Sequence, residues 1–278
     1  MNVKKRIRPV AMIPTLFTLG NLWCGFFAIV VTARVAKPSS EAAVPYVRGD
    51  FDAISLAAGL ILLAMLFDAL DGYLARLAKA PSGFGAQLDS LADMVTFGVA
   101  PAYLLVKMCP YVTLWNQYAV WIIACAFTSS VALRLARFNI QTGEDDDHRQ
   151  FTGLPSPAGA AAVATYAFLF SGLRDVHAAL PYADKLAYAA EWFLPAFALL
   201  VAGLMVSRLR YPHLVNHFLH GERSFQHLVA LVFAAAVALM FGWYSLPLLY
   251  TGFALYGPVR YLWAHALHRE KAREEPLF

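Results

Sequence analysis

The chain has 278 residues, of which 60% are hydrophobic and 14% charged, whereas a soluble domain carries roughly a quarter charged residues. So much apolar surface cannot be hidden in one core of this length, which excludes a water-soluble globule and turns the surplus toward lipid. The net charge of +4 gives no reason to expect a nucleic-acid partner.

A helix needs about 20 residues to cross the hydrocarbon core of a bilayer. In chain order eight stretches meet that length, at about 13–35, 51–77, 85–107, 117–138, 155–173, 191–209, 226–243 and 246–267. The expected fold is therefore an all-α polytopic bundle. The basic start, MNVKKRIRPVAMIP, is shaped like a signal peptide, but the apolar run from Ile13 to Val35 is longer than the roughly 7–15 residues of a signal core. A retained first helix is the expectation. The last two stretches meet at a short turn near Tyr244 and Ser245 and form a hairpin.

With the N-terminus inside, most of the 22 Lys and Arg residues fall on the cytoplasmic side, among them Lys4, Lys5, Arg6, Arg8, Arg134, Arg137, Arg208 and Arg210. That bias places both termini in the cytoplasm of a cell whose inner membrane holds the chain. The sequence divides into a basic cytoplasmic segment (1–12), a transmembrane core (13–210), an additional two-helix segment (211–268) and a cytoplasmic tail (269–278). Residues 36–50 read as a connector and 140–153 as an acidic cytoplasmic segment. Cys24, Cys109 and Cys125 are far apart in apolar surroundings and make neither a disulfide framework nor a CxxC pair.

Chemistry concentrates between the second and third stretches. Asp68 and Asp71 are spaced i, i+3, and Asp89 and Asp93 i, i+4, so each pair shares one helix face. A short connection containing Lys79, Pro81, Ser82 and Gly83 makes the helices antiparallel neighbours and brings four carboxylates to the cytoplasmic boundary. Four such groups do not stay ionised together in an apolar setting without compensating positive charge. Hard carboxylate oxygens suit Mg²⁺ or Mn²⁺, and the absence of His or Cys among them argues against zinc. Gly72 and Gly85 permit close approach of a ligand to the backbone, Ala75 keeps the same face open, and Arg76 offers a planar donor fork for phosphate.

The pattern Asp68-x₂-Asp71-Gly72-x₂-Ala75-Arg76-x₈-Gly85-x₃-Asp89-x₃-Asp93 resembles the signature of the CDP-alcohol phosphotransferase family at all eight positions. The resemblance implies a six-helix core, a two-metal site, a CDP-linked lipid as donor and a homodimer. It implies Asp68, Asp71 and Asp89 as metal ligands, and Asp93 as general base that also touches the second metal. Gly72, Ala75, Arg76, Ser82 and Gly85 would lie at the CDP-diacylglycerol. There is no H-x-K-x₄-D motif, so direct displacement is expected instead of a phosphohistidine intermediate.

Three further segments, PTLFTLGNLWCGFFAI (14–29), ALRLARFNIQTGE (132–144) and FTGLPSPAGAA (151–161), resemble the membrane-type phosphatidylserine synthases within that family. This points to L-serine as acceptor. Arg134 and Arg137, i, i+3 at the inner end of the fourth stretch and followed by Asn139, suit a serine carboxylate. They suit the phosphate of glycerol 3-phosphate or an inositol phosphate equally, and positive-inside anchoring accounts for them too. Thr18 and Asn21 are polar positions of the first helix, facing either the same cavity or a packing contact. Pro155 and Pro157 explain GLPSP as a helix start. His213, His217 and His220 read as an interfacial face. A different class, an ion-coupled transporter, is the alternative for acids within a membrane, but they cluster at one side and no inverted repeat accompanies them.

Overall fold

Long apolar runs rich in small residues become helices that approach each other closely. The computed structural model describes residues 12–35, 48–77, 83–141, 153–176, 181–209 and 242–274. Helix α1 (Met12–Ala33) lies along α2 (Arg48–Leu77). Then follow α3 (Gly83–Asp93), a π-helical segment (Met94–Val99) and α4 (Ala100–Met108), which together make one crossing. Helix α5 (Pro110–Gln141) packs on α8 (Ala183–Val206), and α6 (Ser156–Ala164) continues into α7 (Tyr166–Asp175). A short 3₁₀ turn (Gly242–Tyr244) leads into α9 (Ser245–Glu274).

Helix α6 is the hub. Its run Ala160–Ala164 is fully buried, because side chains this small let α2, α4, α8 and α9 all reach its backbone. Large apolar side chains fill the spaces between the helix pairs, among them Ile54 and Ile61 of α2, Phe97, Leu104, Phe127 and Phe197. Leu16, Trp23, Phe26, Leu56, Leu63, Trp121 and Ile122 remain exposed, as suits side chains meeting lipid.

Six stretches of the described residues are long and apolar enough to span a membrane: Thr15–Ala33, Gly49–Leu74, Gly83–Met108, Pro110–Ile140, Ser156–Asp175 and Ala183–Val206. The chain is a multi-pass membrane protein. Of the eight stretches expected, the seventh lies almost wholly outside the described residues. The eighth is α9, which is helical but not among the six; Pro247, Pro258, Arg260 and its tyrosines dilute its apolar character.

Three boundaries differ from expectation for identifiable reasons. Helix α8 begins at Ala183 and not near 191, because the charges of Asp184 and Lys185 sit in a continuous helix and Glu191 is buried at its side. There the Glu191 carboxylate accepts the backbone N–H groups of Tyr111 and Val112, donors that the first turn of α5 leaves without an intrahelical partner. The stretch 155–173 is divided at Thr165, whose hydroxyl bonds back to the Ala161 carbonyl at 2.7 Å while Phe168 N–H closes a tighter turn on the Thr165 carbonyl at 3.0 Å. Finally, α5 is broken by an extended residue at Asn116 (φ −155°, ψ 86°). Its side chain caps the following turn by accepting Ala119 N–H at 3.2 Å; the helix starts at Pro110, before the expected 117, and turns at Asn116.

Candidate metal and phosphoryl-transfer site

Helices α2 and α3 each pack on α1, and α1 governs where their carboxylates go. Thr18 and Asn21, one turn apart on α1, are both buried. The Thr18 hydroxyl hydrogen-bonds Asp71 of α2, and Asn21 Nδ2 donates to Asp93 Oδ1 of α3 at 2.9 Å. One face of α1 thus holds a carboxylate from each neighbour, so Thr18 and Asn21 pack between helices and meet the carboxylates there.

The contact that sets Asn21 is unusually close. A Cβ on Gly25 would overlap the Thr96 hydroxyl and lie 2.8 Å from the Thr96 Cα, so only glycine fits there. With the helices so near, the Thr96 hydroxyl donates to the Asn21 carbonyl at 3.1 Å. Thr96 lies in the π-helical segment that starts directly after Asp93. Pro101, just beyond it, has no N–H to give the Phe97 carbonyl and its ring crowds that oxygen. The wider turn, seen in the Ala100 N–H to Val95 carbonyl bond, accommodates both. Such wide turns recur at functional sites.

Asp68, Asp71 and Asp89 come together so that one carboxylate oxygen of each lies within 4.8 Å of the others. Among the described residues this is the one group of three or more acidic, His or Cys ligands arranged to hold a metal. Asp71 Oδ2 and Asp89 Oδ1 are buried without a hydrogen-bond partner, a costly state unless something outside the chain meets them. The donor set is all oxygen, which fits a hard divalent cation. Asp93 stands one turn beyond Asp89 with Asn21 as its partner. At Gly72 an added Cβ would meet nothing within 4 Å, so the backbone beside Asp71 faces open space. Ala75 and Arg76 continue α2 with side chains outside the description, and Ser82 lies outside the described residues altogether. Gly85 is in the first turn of α3 and half-buried.

The three residues singled out at the end of α5 part company. Arg134 faces the carboxylates, within electrostatic reach of Asp68 and Asp93. Its Nη1 donates to Ser156 Oγ at 2.8 Å, and its buried Nε has no partner. Arg137 turns away, giving Nη1 to the Val206 carbonyl in the last turn of α8 at 3.2 Å. Asn139 pairs with Ser90 of α3, its Nδ2 3.0 Å from Ser90 Oγ.

Ser156, Ser90 and Thr96 are site neighbours that the sequence reading passed over. Ser156 carried a signal in hindsight, as the polar residue of GLPSP with a proline on each side. That loop is tied down: Gly153 N–H bonds to the Leu209 carbonyl at 2.8 Å and Leu154 N–H to the Leu204 carbonyl at 3.1 Å. Gly153 has φ 91° and its missing Cβ would lie 2.5 Å from the Met205 carbonyl oxygen, so the loop cannot close on α8 with a larger residue there.

The CDP-alcohol phosphatidyltransferase family profile matches residues 11–202. Over 203 residues the chain is 36% identical to the CDP-diacylglycerol–serine O-phosphatidyltransferase of Methanocaldococcus jannaschii, covering 73% of this chain and 83% of that protein. It is 31% identical over 208 residues to the protein of the same name from Helicobacter pylori, covering 74% of each. It is also 29% identical over 210 residues to the archaetidylserine synthase of Methanothermobacter thermautotrophicus, covering 75% of this chain and 72% of that one.

Proposed function

Because the chain belongs to the CDP-alcohol phosphatidyltransferase family, we propose that it transfers the phosphatidyl group of CDP-diacylglycerol to the hydroxyl of L-serine, giving phosphatidylserine and CMP. The observation that carries this reading is the meeting of Asp68, Asp71 and Asp89 oxygens within 4.8 Å, with Arg134 within electrostatic reach of Asp68 and of Asp93. The choice of serine rests on the relatives' names and on Arg134.

In this reading Asp68, Asp71 and Asp89, joined by Asp93 where a second ion is held, bind Mg²⁺ or Mn²⁺. An ion held by these carboxylates would supply positive charge against the diphosphate and the departing CMP. Asp93, oriented by Asn21, takes the proton of the serine hydroxyl as its oxygen bonds to the phosphorus that carries diacylglycerol, and the bond from that phosphorus to CMP breaks. Arg134, steadied by Ser156, receives the serine carboxylate on its free Nε edge. Open backbone at Gly72 admits the CDP moiety, with Ala75, Arg76, Ser82 and Gly85 around it. Arg137 and Asn139 support the shape of the acceptor pocket through their contacts with α8 and α3.

The same reading has the site and both termini on the cytoplasmic side of the inner membrane, and the protein as a homodimer. Residues 13–210 are the catalytic core, and 211–268 add two further spans, making eight. The family match ends at residue 202, in keeping with that division.

One assay tests the reaction. Purified protein is given CDP-diacylglycerol, Mn²⁺ or Mg²⁺, and serine, glycerol 3-phosphate or an inositol phosphate in turn. CMP release with serine alone is expected. Release with another alcohol alone overturns the acceptor, and trapping of a phosphatidyl-enzyme overturns direct displacement.

A further inference from the structure

Around the carboxylates four side-chain atoms are buried without a hydrogen-bond partner: Asn21 Oδ1, Asp71 Oδ2, Asp89 Oδ1 and Arg134 Nε. An unmatched buried polar atom is costly, so each marks a place where something outside the chain completes the site. A hard cation suits the two carboxylate oxygens, and an anion suits the guanidinium edge of Arg134. Asn21 Oδ1 is the atom left over.

Asn21 is fully buried, and its amide has one orientation open to it. An ionised carboxylate only accepts hydrogen bonds, so Nδ2 faces Asp93 Oδ1, 2.9 Å away. Oδ1, on the same carbon, stands beside that contact. The donors nearby are engaged: the Thr96 hydroxyl on the Asn21 backbone carbonyl and the Thr18 hydroxyl on Asp71. One turn along α1, Gly25 already lies against Thr96, which holds the helix in place. Mg²⁺ is typically bound through one or two carboxylates and substrate phosphates, which leaves a neutral amide oxygen unclaimed. Such an oxygen suits an N–H donor, above all a charged one.

Serine carries that donor. Its hydroxyl and its ammonium sit on neighbouring carbons, as Asp93 and Asn21 Oδ1 sit next to each other at one hydrogen bond. Its carboxylate is left for Arg134, which is within electrostatic reach of the same Asp93.

We propose that Asn21 Oδ1 receives the ammonium of the acceptor, so that α1 selects an amino acid over glycerol 3-phosphate or an inositol phosphate, which have no N–H to offer. This recognition rests on the reaction proposed above and adds the amine to it: one amide aims the base with its nitrogen and holds the substrate with its oxygen.

The test compares serine with 3-hydroxypropanoate, which is serine without its amine, by CMP release from CDP-diacylglycerol with Mn²⁺. Wild type should favour serine by roughly 10–100-fold in kcat/KM, the worth of one hydrogen bond to a charged group. Asn21→Leu loses the aim of Asp93 with both acceptors alike, so that loss cancels in their ratio, and the ratio should fall close to unity. Equal use of the two compounds by wild type overturns the proposal while leaving serine as acceptor, and this comparison stands even where N21L fails to fold. An N21L ratio as large as that of wild type overturns it as well. If neither compound is used and glycerol 3-phosphate or an inositol phosphate is, the choice of serine falls and the proposal with it. A melting curve of N21L with and without Mn²⁺ needs no turnover: the metal-dependent rise should persist, and its loss would make Oδ1 a metal ligand and overturn the proposal.

Discussion

Arg134 and Arg137 share one face of α5 a turn apart, and nothing in their spacing tells them apart. Their partners do: Arg134 meets Ser156 beside Asp68 and Asp93, whereas Arg137 closes the last turn of α8. Removing a charged hydrogen-bonding group costs about 1.5–3 kcal/mol, or roughly 10–100-fold in a rate or binding constant. Arg134→Ala should thus raise the KM for serine by that factor, while Arg137→Ala should change it far less and lower the thermal midpoint by roughly 2–4 °C for each kcal/mol lost. Steady-state kinetics and a melting curve on both variants decide it; an equal rise in serine KM for the two would remove Arg134 from the acceptor site. The same logic applies to Asn21. With its amide gone in Asn21→Leu, Asp93 loses the partner that aims it, so kcat should drop about 10–100-fold with the KM for CDP-diacylglycerol nearly unchanged. Asp93→Asn should abolish turnover and keep donor binding.

Between elements, two glycines carry opposite meanings. Gly25 is where α1 touches the π-helical segment, and Gly72 opens on empty space beside Asp71. Gly25→Ala overpacks a helix contact, a change costing about 1–3 kcal/mol, and it levers Asn21 from Asp93, so stability and kcat should fall together. Gly72→Ala meets no atom of the chain and improves helix propensity by about 1 kcal/mol; the melting point should hold or rise while the KM for CDP-diacylglycerol increases. A G72A variant with unaltered donor KM would mean that no ligand approaches that backbone. Spacing alone exposed the face shared by Asp68 and Asp71 and that shared by Asp89 and Asp93, because a helix repeats at 3.6 residues whatever surrounds it. It did not expose the π-helical segment, which exists because Pro101, Gly25 and Thr96 act together across two helices. The early start of α8 was hidden for the same reason, since the Glu191 charge is met only where the N–H groups of Tyr111 and Val112 stand next to it; the division at Thr165 comes instead from local bonds to Ala161 and Phe168.

Across the whole molecule the aspartates remain a charge imbalance that packing does not remove. Helix α1 supplies Thr18 and Asn21, which are dipoles; among the described residues Arg134 is the cation that acts on Asp68 and Asp93. Each acid in a membrane helix costs about 2.5–3.5 kcal/mol to insert at mid-depth, and the oxygens of α2 and α3 face each other across a gap. A cation held there joins two helices that otherwise meet mainly through α1, so it contributes to stability as well as to chemistry. At a hundred times its Kd a ligand specific to the folded state adds about 2.7 kcal/mol. Chelation should therefore lower the thermal midpoint by several degrees, and Mg²⁺ or Mn²⁺ should restore it. Asp68→Asn and Asp89→Asn should lose that metal-dependent shift. Stripped of metal, the same variants should melt no lower than stripped wild type, because each removes one charge from an uncompensated group. Variants that melt lower without metal, and still shift with it, would mean that these carboxylates serve the fold as hydrogen-bond acceptors and that the ion sits elsewhere.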